Sequence, residues 1–193
     1  LFFPLKPYIV TQGFGENSEY YSKNIPGLIA HPGEDSIAIT GTPVRAMHDG
    51  MVTFSGEDGK GGLGVVVRTT EEYEWLDNQT CYYKSIYWHL LPNSFKVKPG
   101  DLVKAGDILA CSDNTGFSTN PHLHIGVKPV KRGEADWEWA NITQNEGYFG
   151  AINPRPLYNG YYAIDAPVIV KNLQTQISLL QKMVEILKKL LGL

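Results

Sequence analysis

The chain has 193 residues, 42% hydrophobic and 19% charged, which suits one globular domain with an appendage and a sizeable core. A formal charge of -3 without a basic, aromatic-interleaved repeat argues against nucleic-acid binding. No apolar run reaches the ~18 residues of a membrane span, and residues 1–5 carry no charged leader pattern, so any targeting segment is expected to lie outside this chain.

In chain order, residues 8–12 read as an extended segment turned by Gly13 and Gly15. Residues 16–34, polar and broken by Pro26, Gly27, Pro32 and Gly33, read as a long surface loop that delivers His31. Short strands follow at 36–40, 44–47 and 51–55, then a glycine-rich turn at 56–64 and a β-branched run at 65–70. Residues 71–79 form an acidic excursion, and strand character resumes over 81–90, ending on His89. No helical period separates the strands, so the fold class is all-β with antiparallel hairpins. Residues 97–101, VKPGD, recur six positions later as VKAGD, which predicts two adjacent tight turns. Residues 130–150 are irregular and rich in tryptophan and acid. From 168 to 191 the pattern changes: Leu173, Ile177, Leu180, Val184, Leu187 and Leu191 follow heptad spacing, broadened by Leu179, Met183, Ile186 and Leu190. This predicts a domain over 1–165 and an amphipathic C-terminal helix over 166–193. The helix must bury its face on a second copy, on the domain or on an envelope partner, and the pattern leaves all three open.

The chemistry concentrates at residues 120–127, NPHLHIGV. In a strand His122 and His124 project from one face, with room for one ion and one reacting molecule. Upstream, His31 and Asp35 stand four positions apart in HPGED and supply an imidazole and a carboxylate, donors that Zn²⁺ accepts. His89 adds a fifth group. There is no H-E-x-x-H, so a glutamate base is absent and an imidazole takes that role. Cys81 and Cys111 form no C-x-x-C pair, and whether they bond to each other is left open. Glu34 reads as a solvated loop charge and His48 as structural or surface. Tyr20, Tyr21, Tyr148 and Trp137 offer rings for a peptide groove or for core packing.

The order of these motifs resembles the lysostaphin and LytM type of zinc peptidase. HPGED, the G-T-P-V-x-A-x-x-x-G-x-V run over 41–52, Y-W-H-L at 87–90, the paired V-x-x-G-D turns, N-T-G at 114–116 and P-H-L-H at 121–124 agree in order and spacing over about 12–156. The resemblance implies an antiparallel β-sheet or sandwich domain with long loops lining a groove, cutting peptide bonds in bacterial peptidoglycan stems or cross-bridges. It assigns His31, Asp35 and His124 as ligands of one zinc per chain. His122 is implied as the likelier general base and His89 as its partner, acting with a zinc-activated water. Tyr20, Tyr21, Asn114 and Trp137 are the substrate contacts expected beside them. Peptidoglycan peptides are then the partner, in a secreted, periplasmic or cell-envelope setting in bacteria. Glu34 stands where the family usually has an aliphatic residue, and 71–80 and 131–150 are longer or more acidic than expected. The alternative is a catalytically silent relative that binds peptidoglycan or activates an amidase. The paired V-x-x-G-D turns also resemble lipoyl or biotinyl carriers, but no lysine sits at the expected hairpin tip and the histidines would go unused.

Overall fold

The computed structural model describes residues 1–74, 79–133, 139–158 and 164–191. Its strands are β1 (Ile9–Gln12), β2 (Glu34–Ile37), β3 (Pro43–Arg45), β4 (Gly50–Asp58), β5 (Gly62–Arg68), β6 (Tyr73–Glu74), β7 (Thr80–Trp88), β8 (Leu102–Val103), β9 (Ile108–Cys111), β10 (His122–Arg132), β11 (Trp139–Asn141) and β12 (Ile164–Asp165). Among the described residues two α-helices accompany them, α1 (Ser18–Asn24) and α2 (Ala166–Leu191). The main sheet runs β12-β1-β2-β10-β7-β5-β4-β8, with β11 on β10 and β6 on β7, and β3 pairs β9 in a small second sheet. All of these pairs are antiparallel except β1 with β12. The all-β, antiparallel architecture of the sequence reading therefore stands, with its C-terminal helix.

Alternation along the central strands separates a dry face from a reactive one. Leu123, Ile125 and Val127 of β10, Tyr87 of β7, Val65 and Val67 of β5 and Val52 of β4 are fully buried together with Leu109 and Ala110 of β9. Each such side chain stabilises the fold by roughly 1.5–3 kcal/mol through burial. The intervening residues, His122, His124, Gly126 and Lys128 on β10 and Lys84, Ile86 and Trp88 on β7, share the opposite face.

Several boundaries differ from the sequence reading. Residues 16–34 are not one loop, because Ser18–Asn24 forms α1, entirely without buried residues and with no side-chain cap at Asn17. The 56–64 stretch is not a broad turn: β4 and β5 continue through it as a hairpin, paired down to Asp58 and Gly62. Its glycines serve a close approach, since a Cβ on Gly64 would lie 1.6 Å from the Trp88 ring. The VKPGD and VKAGD repeats do make equivalent turns, in which the Asp101 and Asp107 carboxylates accept the Lys98 and Lys104 amides at 2.9 and 2.8 Å. Cys81 and Cys111 are free thiols. Helix α2 leaves Ile177, Leu180, Val184 and Leu187 about half exposed. No helix among the described residues is long and apolar enough to cross a membrane.

Candidate metal centre and reactive groove

The centre is assembled by register. His124 pairs directly with Asp35 on β2 and with Trp88 on β7, so imidazole, carboxylate and indole stand abreast. His31 enters from the segment before β2. Its Nε2 lies 3.0 Å from His124 Nδ1 and 3.2 Å from Asp35 Oδ1, while His124 Nδ1 and Asp35 Oδ1 are 2.8 Å apart. Zinc–donor bonds of about 2.0–2.2 Å imply tetrahedral edges of about 3.3–3.6 Å, so these three donors nearly match one face of a zinc tetrahedron. Among the described residues this is the group of His, Cys, Asp and Glu whose donor atoms lie close enough together to share an ion. The donor set fits a borderline cation.

Backbone carbonyls orient the rings. His31 Nδ1 donates to Gly13 O at 3.1 Å, His122 Nδ1 to Asn120 O at 2.8 Å and His89 Nδ1 to Thr115 O at 2.7 Å. Each of these bonds turns Nε2 away from the carbonyl, and donation to a second group is how metal-site histidines are commonly held. His122 Nε2 lies 3.6 Å from Asp35 Oδ1, just outside the three-donor triangle, and its ring is 4.5 Å from that of His89. His89 has a left-handed backbone, φ 65°, a strained conformation at a reactive position. Thr115 supports it twice, by the carbonyl already named and by a hydroxyl that donates to Leu90 O at 2.9 Å. Gly33 lets His124 close on β2, because a Cβ there would meet Ile125 O at 2.1 Å and the His124 ring at 2.9 Å.

The electrostatics favour an ionised carboxylate at Asp35. Burial pushes the Asp35 carboxyl up, but hydrogen bonds from His124 and His31 outweigh it and hold it well below the usual carboxylate range. Burial lowers His89 to about 4 against the pull of Thr115, and it also lowers His124. Burial, with the Asp35 charge second, raises the Tyr21 phenol to about 12.

Of the expected substrate contacts, Tyr21 stacks on His31 at 5.4 Å and Tyr20 faces Phe117 at 6.4 Å, both beside the centre. Tyr148 lines the adjoining groove with Trp88, His89 and Phe149. Asn114 accepts from Ser118 Oγ at 2.6 Å, and Ser118 Oγ lies 3.1 Å from His122 Nδ1. Trp137 lies outside the described residues. Glu34 corrects the sequence reading. It is a buried residue of β2, not a solvated loop charge, and it is paired with Arg155 and accepts hydroxyls from Tyr8 and Tyr158, each at 3.0 Å. His48 is likewise buried, with Nε2 lacking a hydrogen-bond partner. Sequence reasoning passed over Trp88 and Ser118; Trp88 reaches the reactive face through its pairing with His124, a register between distant strands that local pattern does not announce.

Comparison with known proteins agrees with this arrangement. The description "Peptidase family M23" matches residues 29–136. Over 98 residues the chain is 40% identical to glycyl-glycine endopeptidase ALE-1 of Staphylococcus capitis, covering 49% of this chain and 24% of that protein. It is 37% identical over 98 residues to DD-carboxypeptidase/endopeptidase Mpg of Neisseria gonorrhoeae, covering 51% of this chain and 20% of that one. The chain thus spans about a quarter or less of the length of these relatives. The lysostaphin catalytic domain of Staphylococcus simulans superposes with a TM-score of 0.57 at 29% identity, covering 79% of this chain and 92% of that one. A zinc-containing peptidase from Vibrio cholerae gives 0.51 at 27% identity, covering 79% and 40%. Matched over more than half of its length, the chain belongs to peptidase family M23.

Proposed function

We propose that this chain is a zinc-dependent endopeptidase that hydrolyses peptide bonds in bacterial peptidoglycan, in a stem peptide or a cross-bridge. The observation that carries it is the convergence of His31, Asp35 and His124 donors at 2.8–3.2 Å, with two further imidazoles beside them at the end of a groove. The relatives named as endopeptidases support the same reading.

His31, Asp35 and His124 hold one zinc. The ion supplies Lewis acidity, drawing the pKa of water toward neutrality and polarising a carbonyl. His122, with Nδ1–H committed to Asn120, presents a free Nε2 and takes a proton as general base. His89, held by Thr115, stabilises developing negative charge or protonates the leaving amine once its Nε2 has taken up a proton, and the two rings can exchange roles. Tyr20, Tyr21, Tyr148 and Trp88 give an extended peptide its contact area. Residues 1–165 form the peptidase domain. The apolar face of residues 166–193 serves a second copy or an envelope partner in a secreted or envelope-facing protein. The silent-relative reading would call for a missing ligand or imidazole, and all five are present and close together.

Digestion of purified peptidoglycan with and without a chelator, followed by mass analysis, tests the reading. New amine termini that vanish on chelation are expected; none in either condition would leave a binding module.

A further inference from the structure

The reactive face does not end at the metal centre. Gly126 pairs with Ile86 two residues from the His124–Trp88 pair, and two residues further Lys128 pairs with Lys84, which in turn pairs with Arg68 on β5. Three cations therefore stand abreast on three neighbouring strands. Like charges directly opposite one another destabilise a sheet. The arrangement lacks the usual remedy: among the described residues none of the three is in an ion pair. Arg68 is stacked on Trp139, 3.6 Å from the ring centre, and its Nε is buried with no hydrogen-bond partner. Burial holds Lys84 and Lys128 below the usual lysine value, with Arg68 adding to the effect at Lys84 and Lys84 at Lys128. Among the described residues, Asp58 is a carboxylate that acts on Lys128 in the opposite sense.

The row lies on the same groove as the metal centre. Ile86, Trp88, Asp58 and Lys128 line both the cavity that contains His31, His89 and His124 and the cavity that contains Arg68 and Lys84. Gly126 puts no side chain on the path between them. Four residues of strand separate His124 from Lys128, about 13 Å at ~3.3 Å per residue. That is the span of about four residues of an extended peptide.

We propose that Lys84, Lys128 and Arg68 form a subsite for a carboxylate carried by the substrate peptide about four residues from the bond cut. The proposal rests on the endopeptidase reading and adds the substrate class, a peptide with an acidic group on one arm. An anion at the row relieves the three-way repulsion, whereas a neutral peptide arm leaves it in place. Lys84 and Lys128 make no contact with the three metal-binding side chains, so the subsite governs affinity and not the chemical step.

The test uses the zinc-loaded chain and capped hexapeptides of five glycines with one glutamate at either end, each against its glutamine counterpart. Affinity is read as KM where a peptide is cut and as a calorimetric Kd where it is not. At least one glutamate peptide is expected to bind tenfold or more tighter than its glutamine twin, with the gap shrinking as salt rises. In the K84M/K128M variant, which keeps both aliphatic stems, the gap falls below threefold while affinity for the glutamine peptide stays within twofold. Equal affinity of both pairs for the unaltered chain overturns the subsite, as does a gap that survives in K84M/K128M. If no peptide is cut yet the gap is present in Kd, the subsite stands and cleavage between glycines falls, the endopeptidase reading itself being decided by the peptidoglycan digest.

Discussion

The buried carboxylate of Glu34 makes a prediction that can be worked from the structure. It sits one residue before Asp35 and faces the core, where Arg155 pairs with it and the hydroxyls of Tyr8 and Tyr158 both donate to Oε2. Burial, and then the neighbouring phenol and carboxylate, keep those two phenols far above their usual pKa, so they remain donors. Replacing Arg155 by Met removes the countercharge and leaves a carboxylate with no exposure at all, a loss of about 3–5 kcal/mol. At about 2–4 °C per kcal/mol for a chain of this size, the melting point falls by about 6–20 °C. Adding Glu34→Gln to that variant removes the unpaired charge but keeps an oxygen for the two tyrosines, so the double variant should regain about 1–2 kcal/mol. The sign is the sharp part, because the second substitution restores what the first removed. Urea unfolding at constant m-value measures both steps, and with the Glu34→Gln single variant added the cycle isolates the pair from any other contact Arg155 makes. An Arg155→Met variant within about 0.5 kcal/mol of the parent, or a double variant weaker than the single, refutes the argument.

Other predictions concern the site, the pH response and the helix. His122→Ala and His89→Ala should each lower turnover by about 10²–10⁴ while zinc, measured by mass spectrometry, stays bound; full activity in both variants removes the assigned roles. His48, lowered by burial to about 4, refuses in the folded chain a proton that the unfolded chain takes at ~6.5. Its contribution is nil above that value and costs up to about 3 kcal/mol as pH falls toward 4, so His48→Leu should flatten the acid limb of stability by that amount. An acid limb of unchanged slope in His48→Leu counts against the burial argument. Analytical ultracentrifugation with and without residues 168–193 decides the role of the exposed Ile177, Leu180, Val184 and Leu187 stripe: a dimer mass lost on truncation is expected, and an unchanged monomer rejects it.

Features set by local pattern were legible before any coordinates. The H-x-H pair needed only the two-residue period of a strand, the C-terminal helix only its heptads, and the twin turns only a repeated Gly-Asp after lysine. Features set by distant partners were not. Glu34 follows Pro32 and Gly33 and reads as loop, while Arg155 and Tyr158, which make it a core residue, lie 121 and 124 positions away. Helix α1, SEYYSKN, has no apolar period to announce it, since none of its residues is buried. The left-handed backbone of His89 has no glycine to signal it; the Thr115 bonds and the packing of the 113–118 loop against Gly62 hold it there.

Two neighbouring acids thus have opposite fates, and the pleat explains why. Asp35 and Glu34 differ by one methylene, and each could bind a metal. Strand alternation sends one to the reactive face and the other to the core, and a slip of one residue between β2 and β10 would exchange them. Apolar packing alone discriminates poorly between the two registers, since β2 is only four residues long, EDSI, with Ile37 half exposed. Arg155, Tyr8 and Tyr158 supply the discrimination: they satisfy a carboxylate at position 34, and in the slipped register the Asp35 side chain would face them one carbon short. The same clamp that buries Glu34 therefore determines which acid stands beside His31 and His124.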